Sequence, residues 1–199
     1  MLFRSERQFI RNHYNEWRVA YAETGGLQRR VDVVFRLYDD GLGFRYEFPQ
    51  QAGLTTVRIG SEITEFNLAE NGEALWCPAW EWNREEYLYS RTPISAVGSA
   101  QTPMTVKGRS GLHVSIHEAA CIDYAGMNLR RSEETRFRAQ LTPGLTNAAV
   151  VRQAPFDTPW RTLQISDSAA GLIESSLILN LTETNKLRDV SWFKPMKYV

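Results

Sequence analysis

The 199-residue sequence lacks the charge imbalance that marks many nucleic-acid and membrane-surface proteins. Lysine plus arginine and aspartate plus glutamate number 23 each, so the formal net charge at pH 7 is zero. This balance gives no reason to expect nucleic acid or an anionic membrane as a partner. No apolar run approaches the roughly 18 residues of a membrane-spanning helix. We therefore predict no nucleic-acid partner and no membrane span.

Targeting signals and cysteines are scarce too. The first 16 residues, MLFRSERQFIRNHYNE, lack the apolar core of a signal peptide. The chain is therefore expected to be cytoplasmic or to lack its targeting segment. Cys77 and Cys121 are the only cysteines, and their spacing matches no zinc motif. We predict two buried thiols, with a single disulfide between them as the alternative.

Common catalytic motifs are missing as well. The sequence has no glycine-rich phosphate loop before a helix, no G-x-S-x-G and no H-E-x-x-H. His113 and His117 are four residues apart, which on a strand is the same face but about 13 Å of rise. That separation is too long for both to bind one metal ion. His13 is isolated and is expected in a partly exposed loop.

The sequence is rich instead in alternating apolar and polar residues, the pattern of β-strands. Residues 31–49, VDVVFRLYDDGLGFRYEFP, predict a β-hairpin with residues 39–43 as its loop. Residues 92–105 are predicted as a loop and residues 168–175 as one short helix. Further strands are predicted within residues 11–23, 55–68, 74–89, 105–117, 134–141, 150–154, 160–166 and 177–181.

These segments amount to about ten to twelve short strands with turn signals between them. No β–α–β alternation is visible, and there is no internal repeat, low-complexity segment or clear linker. The pattern predicts a mainly β, antiparallel two-sheet β-sandwich with few short helices, folded as one domain.

Glu118 is the carboxylate whose setting most needs an explanation. It follows an alternating strand in residues 112–129, LHVSIHEAACIDYAGMNL, and precedes two alanines. An acid at the end of a buried strand is costly unless its charge is compensated. A metal ion, a basic partner and plain solvent are all open at this point.

A single tryptophan, Trp160, and a cluster of three each allow a structural and a functional interpretation. Trp160, in the segment Thr158-Pro159-Trp160-Arg161, is a sugar platform or a buried anchor, and we favour the anchor. Trp76, Trp80 and Trp82 lie together in a predicted strand and loop. Flat rings stack on sugars, so this cluster leaves a free-standing carbohydrate-binding module as an alternative function.

Five stretches, in order along nearly the whole chain, carry a family resemblance. They are IRNHYNE (10–16), FRLYDDGLGFRYEFPQQ (35–51), LHVSIHEAACIDYAGMNL (112–129), DTPWRTLQISD (157–167) and SWFKPMKYV (191–199). Together they resemble the N-terminal domain of glycoside hydrolase family 97, which contains α-glucosidases and α-galactosidases. The resemblance implies a β-supersandwich of the galactose-mutarotase type.

The resemblance also implies a metal role for Glu118. Family members have an N-terminal β-supersandwich, a catalytic (β/α)8 barrel and a small C-terminal β-domain, with Ca²⁺ bound near the catalytic carboxylates. In the inverting α-glucosidase branch, the calcium-binding glutamates come mostly from the barrel, but one comes from the N-terminal domain, and by motif match it is Glu118. The implied partners are the enzyme's own barrel and an oligosaccharide substrate, and the implied location is periplasmic or secreted.

Two departures from the family pattern shape what we expect of this chain. Residues 1–190 match the sandwich without its first strands, and residues 191–199 match the approach to a barrel that is not in this sequence. The chain is thus expected to hold no catalytic residues, to be inactive alone and to bind Ca²⁺ poorly alone. Uncovered sheet edges or apolar faces are expected to favour a dimer.

Overall fold

The computed structural model describes residues 10–81, 87–145, 147–184, 186–189 and 191–192. The first strands are β1 Asn15–Ala22, β2 Arg30–Tyr38, β3 Gly41–Phe48, β4 Thr56–Ile59, β5 Glu65–Asn67, β6 Gly72–Trp76, β7 Ser90–Pro93 and β8 Ser99–Ala100. The later strands are β9 Met104–Gly108, β10 His113–Ala119, β11 Met127–Arg131, β12 Arg136–Leu141, β13 Val150–Gln153, β14 Phe156–Asp157 and β15 Trp160–Ser166. The helices are α1 Ala169–Glu174 and α2 Leu177–Leu181, and Ile94–Ala96 form a 3₁₀ turn. Neither α-helix in these ranges is long and apolar enough to cross a membrane.

Two antiparallel sheets dominate the molecule. The larger has nine strands in the order β1-β2-β3-β15-β10-β9-β6-β7, with β14 also paired to β3. The smaller has four strands in the order β5-β12-β11-β8, and β13 pairs with β4 in a separate ribbon. The predicted antiparallel β-sandwich is confirmed.

The predicted hairpin forms from β2 and β3, but its loop is shorter than predicted. Phe35 lies opposite Phe44 in the ladder, and the strand already resumes at Gly41. A Cβ on Gly41 would lie 2.1 Å from the carbonyl oxygen of Leu163 in the neighbouring strand. A Cβ on Gly43 would lie 2.4 Å from Leu181 of α2. These glycines therefore allow close packing of neighbouring elements rather than a longer turn.

The main hydrophobic core lies between the two sheets. Ile116 of the large sheet and Phe137 and Leu129 of the small sheet are fully buried there. Phe44 of β3 meets Phe66 of β5 with ring centroids 6.2 Å apart. The edge strand of the small sheet therefore packs against β3.

The opposite face of the large sheet is covered by the two short helices. Leu177 and Leu181 are buried against Val34, whereas Leu179 between them is exposed. The predicted strand at residues 177–181 is therefore wrong, because burial at positions four apart is the helical period. An apolar run of five residues cannot distinguish the two periods. The helix predicted within residues 168–175 is confirmed as α1.

The small sheet and its surroundings depart from prediction in two places. Residues 92–105 are not a loop: they contain the end of β7, the 3₁₀ turn, β8 and the start of β9. Their small residues are typical of loops, yet Ile94, Val97 and Ala100 are fully buried. Strand β11 is absent from the predicted strands. Both errors come from short strands whose burial depends on the facing sheet.

The two cysteines are free thiols, and the structure contains no disulfide between them. Cys77 is half-buried, but Cys121 is exposed, so its predicted burial is wrong. The chain leaves β10 at Ala120, whose φ of +54° turns it into an irregular loop before Cys121. His13 is exposed and lies outside regular structure, as predicted.

Candidate functional site

Glu118 lies near the end of β10, directly opposite Arg161 of β15. Nη1 of Arg161 donates to Oε2 of Glu118 at 2.6 Å, and the backbone N–H of Met127 donates to Oε1 at 3.0 Å. The Glu118 side chain is only 11% exposed. A metal ion, a basic partner and plain solvent were the three expected ways to compensate the charge of Glu118. The structure shows the basic partner, Arg161, and not plain solvent.

A second carboxylate, Glu62, completes this site. Arg161 is fully buried and donates two further hydrogen bonds to Glu62, Nε to Oε1 at 2.8 Å and Nη2 to Oε2 at 2.5 Å. The sequence carries Glu62 only as one of many acids expected on solvated surfaces. It is 99 positions from Arg161, and no local pattern signals the pairing. We call Glu62, Arg161 and Glu118 the carboxylate–arginine triad.

Neutral hydrogen-bonding groups support the triad from the side of Glu62. The hydroxyl of Thr64 donates to Glu62 Oε1 at 2.9 Å, and the hydroxyl of Tyr46 lies 2.7 Å from the Thr64 hydroxyl. These contacts join β3, the segment before β5, and β15 in one network. Because each member holds the next, the position of Arg161 is determined from several elements at once.

The charge of the triad is not balanced internally. Two carboxylates and one guanidinium carry a formal charge of −1. Burial lowers the pKa of Arg161, but the hydrogen bonds and charge of Glu62, together with the charge of Glu118, outweigh burial and raise it. The guanidinium fork faces Glu62 with two bonds and Glu118 with one. Glu118 therefore keeps lone pairs that no described group occupies, since an ionised carboxylate accepts about four hydrogen bonds.

Two half-buried phenols, Tyr46 and Tyr124, adjoin the triad. The ring of Tyr124 lies 5.9 Å from the Arg161 guanidinium carbon. Burial, reinforced by the charge of Glu62, raises the pKa of Tyr124, and burial raises the pKa of Tyr46 as well. Both phenols are consequently protonated at neutral pH. Tyr46 can donate to the Thr64 hydroxyl, whose own proton goes to Glu62.

A cavity of about 930 Å³ opens beside the triad. Glu62, Thr64, Tyr46 and Tyr124 line one part of it, and the ends of β1 and β2 line another. Glu118 is not among the residues that line this cavity. Gly126 lies beside its carboxylate, since a Cβ at that position would be 3.7 Å from Oε1. The small residue at position 126 thus leaves room beside the Glu118 carboxylate.

Metal ligands are not clustered within the described parts of the chain. No group of three or more histidine, cysteine, aspartate or glutamate side chains is arranged to hold one ion there. His113 and His117 both lie on β10, each with a buried Nδ1 that has no hydrogen-bond partner among the described residues. Glu118 therefore offers one carboxylate ligand and not a complete site.

Two of the tryptophans considered for sugar binding, Trp76 and Trp160, have structural roles. Trp160 is buried between the guanidinium groups of Arg36 and Arg45, 4.9 and 4.6 Å from its ring, so the predicted anchor is confirmed. Trp76 packs against the main core and donates from Nε1 to Thr92. Trp80 is 42% exposed, and Trp82 lies outside the described residues. Trp76 is thus not free to stack on a sugar.

Comparison with known proteins gives a consistent family assignment. The model of the glycosyl-hydrolase 97 N-terminal family matches residues 2–184. A probable retaining α-galactosidase from Streptomyces bingchenggensis is 27% identical over 190 residues, covering 90% of this chain and 27% of the relative.

Solved structures agree with that assignment. A glycoside hydrolase family 97 enzyme from Pseudoalteromonas sp. strain K8, in complex with acarbose, is 46% identical with a TM-score of 0.87, covering 92% of this chain and 28% of that one. A variant of a family 97 enzyme from the same strain gives 45% identity and a TM-score of 0.91, covering 96% and 29%. The chain therefore spans less than a third of the length of these relatives.

Proposed function

The chain belongs to the glycosyl-hydrolase 97 N-terminal family, and we propose that this domain packs on a catalytic barrel and supplies Glu118 to a calcium ion there. The single observation that supports the metal role is the triad. Its excess negative charge rests on a carboxylate that is held in place on one side and keeps free lone pairs on the other.

The chemistry of Glu118 fits one ligand of a shared calcium site. Ca²⁺ takes about six to eight oxygen ligands and favours carboxylates. One carboxylate, with no cluster around it in the described residues, supplies a fraction of that number. We assign the remaining protein ligands to the partner domain. When bound, the Ca²⁺ would supply a positive charge at the place where Glu118 meets the partner domain.

The triad has a positioning role in this proposal. Arg161 and the Met127 backbone fix the Glu118 carboxylate, and Glu62 neutralises the arginine so that Glu118 retains its charge. A single glutamate without Glu62 would be neutralised by the same arginine. We therefore regard Glu62 as the residue that makes Glu118 available to a cation.

The complete enzyme is proposed to hydrolyse terminal α-glucosides or α-galactosides in the periplasm or outside the cell. The bond cleavage is assigned to carboxylates of the barrel, because glycoside hydrolysis needs two carboxyl groups on opposite sides of the scissile bond. In the triad both carboxylates are instead bound to one buried guanidinium. The sandwich domain helps to wall the sugar pocket.

A chimeric enzyme tests the calcium role. This chain replaces the matching N-terminal part of the Pseudoalteromonas family 97 enzyme, and hydrolysis is measured against free calcium concentration. Glu118→Gln keeps an oxygen acceptor but removes the charge. We expect it to raise the half-activating calcium concentration by about tenfold or more, since calcium affinity depends on ligand charge.

The matched control is Asp123→Asn, which removes a charge from the same loop region. Asp123 pairs with Arg152 and is largely exposed. We expect its calcium dependence to equal that of the parent chimera. Equal calcium curves for the Glu118→Gln chimera and its parent would refute the metal role.

A further inference from the structure

We propose that the outer face of the small sheet binds a uronic acid residue, a sugar that carries a carboxylate, between two opposed arginines. Arg130 of β11 lies directly opposite Arg138 of β12 in the antiparallel ladder. Arg138 is exposed between Phe137 and Ala139, which are both buried in the main core. Alternate side chains of a strand point to opposite faces, so both arginines belong to the face that points away from the core.

The two arginines are held together without an acid between them. Like charges directly opposite in an antiparallel pair are destabilising. Glu65 lies opposite Arg138 in the next ladder, but its carboxylate lies 3.9 Å from Nε of Arg136, which also pairs with Glu133 at 3.1 Å. Among the described residues, no acid lies within ion-pair range of Arg130 or Arg138. The pair therefore offers two guanidinium groups to an anion from outside the chain.

Two carboxamides complete a square of polar side chains on this face. Asn128 lies opposite Gln140, two residues along each strand from the arginines. The indole nitrogen of Trp80 can only donate, so its 3.2 Å hydrogen bond goes to the carbonyl oxygen of Gln140. The amide nitrogen of Gln140 is thereby left to donate elsewhere. Guanidinium groups beside an amide donor suit a ligand rich in oxygen acceptors.

Trp80 adds an aromatic surface to the square through a strained backbone. Its φ is +70°, a region that bulky residues rarely adopt. The preceding residue, Ala79, donates from its backbone N–H to the carbonyl oxygen of Ser99 in β8 at 3.0 Å. Strand β11 lies between β8 and β12, so the indole reaches across the outer face to Gln140. Strain of this kind is concentrated at ligand sites, and the exposed ring offers a flat apolar surface to a pyranose.

A groove of about 460 Å³ runs beside the square. Arg130, Arg138 and Gln140 are among its lining residues, which include three arginines and one glutamate. That glutamate is Glu62, whose carboxylate already accepts two hydrogen bonds from Arg161. The groove is thus positively charged, and its volume is that of a small-molecule site. A uronate fits because its carboxylate can bridge the guanidinium groups while its hydroxyls accept from the amide.

The square and Glu118 belong to different sheets. Glu118 lies on β10 of the large sheet, whereas the square is formed by β11 and β12 of the small sheet, on the face away from the large one. The proposed uronate site therefore does not depend on the calcium role of Glu118.

Calorimetric titration of the whole chain tests the ligand class. The probes are the disaccharides of galacturonate, glucuronate and mannuronate, the methyl ester of each, and inorganic phosphate. At least one uronate should bind saturably, and its ester should bind about tenfold more weakly or worse, because the ester keeps the sugar but loses the charge-assisted hydrogen bonds. No saturable binding of any uronate would overturn the site. Phosphate binding as tight as that of the best uronate would overturn the assignment to a sugar.

Substitution of the arginines separates a ligand site from a structural one. Arg130→Gln and Arg138→Gln should each weaken uronate binding by about tenfold or more. Arg91→Gln, which removes an exposed positive charge from β7, is the control and should bind as the parent does. Because each of the first two variants removes a like-charge contact, each should also raise the thermal unfolding midpoint. A lower midpoint with unchanged uronate affinity would show that the pair is structural and would overturn the proposal.

The chimeric enzyme tests whether the face stays open beside the other domains. We expect the chimera to bind the uronate with the affinity of the chain. Loss of uronate binding in the chimera would mean that another part of the enzyme occupies the arginines, and it would overturn the proposal. Glu118→Gln in the chimera should leave uronate affinity unchanged, so a failure of the calcium role and a failure of this site give different results.

Discussion

The two ends of the large sheet differ in how their unpaired edges are protected. At one end β7 has four residues, among them Arg91 and Pro93, and it leads directly into a 3₁₀ turn. At the other end β1 has eight residues with a continuous ladder to its neighbour and an apolar face. A short strand with proline resists strand addition, whereas a long regular one invites it. Among the described residues, the features that resist strand addition are thus found at one end of the sheet.

The large sheet is also covered unevenly by the small sheet. Strands β3, β15, β10, β9 and β6 of the large sheet face the small sheet and contribute to the main core. Trp17 and Tyr21 of β1 remain exposed. Both regions show the same alternation of apolar and polar residues. Alternation therefore reports that a strand has an apolar face, but not whether that face is covered.

The largest difference in the free energy of unfolding is expected between an aromatic truncation in the main core and one on β1. Phe137→Ala removes a fully buried ring from the main core and should lower the free energy of unfolding by about 3–5 kcal/mol. Trp17→Ala removes a mostly exposed ring and should cost less than about 1 kcal/mol. Urea unfolding at concentrations where the chain is monomeric measures both. A similar loss for the two variants would mean that β1 is covered in solution.

A comparable loss is expected when the buried triad loses its cation. Arg161→Met leaves two buried carboxylates without a partner and should cost about 3–5 kcal/mol at neutral pH. Arg91→Met breaks the exposed ion pair between Arg91 and Glu73 at the β7 end of the large sheet. This variant should leave the unfolding midpoint unchanged. A loss for Arg161→Met no larger than that for Arg91→Met would contradict the charge explanation.

A smaller effect on folding stability is expected from the titration of His117, which lies on β10 in the covered part of the large sheet. Burial lowers the pKa of His117 from its ordinary 6.5, and the nearby Glu118 only partly opposes this. The unfolded chain therefore binds a proton at higher pH than the folded chain, and stability should fall as pH drops below about 6.5. Thermal unfolding from pH 8 to 5 should show a shallower slope for His117→Gln, with His13→Gln as the control. An unchanged slope for His117→Gln would rule out this assignment.

Much of the fold follows from local pattern. The β2–β3 hairpin, the strand ending at Glu118 and the segment from Trp160 to Ser166 are visible as alternation between turn residues. The α2 helix is not, because an apolar run of five residues fits a buried strand equally well. Strand β8 is only two residues long and carries no pattern of its own.

Only part of the candidate site could be predicted from the sequence. Glu118 stands out because an acid follows an alternating strand, and a basic partner was among the expected explanations. The identity of that partner and the existence of Glu62 were not visible, because the contacts join residues 43 and 99 positions apart. The charge excess on Glu118 depends on both contacts, and so it emerges only from the assembled fold.

The sequence by itself determined most of the longer strands, the sandwich class, the anchor role of Trp160 and the prominence of Glu118. Each of these depends on side-chain period or on the cost of burying a charge, which a local stretch of chain expresses. Only the tertiary structure decided which apolar faces are covered, which glycines serve close packing and which carboxylate neutralises Arg161. Those outcomes depend on contacts between distant segments, and a linear pattern of residues does not specify such contacts.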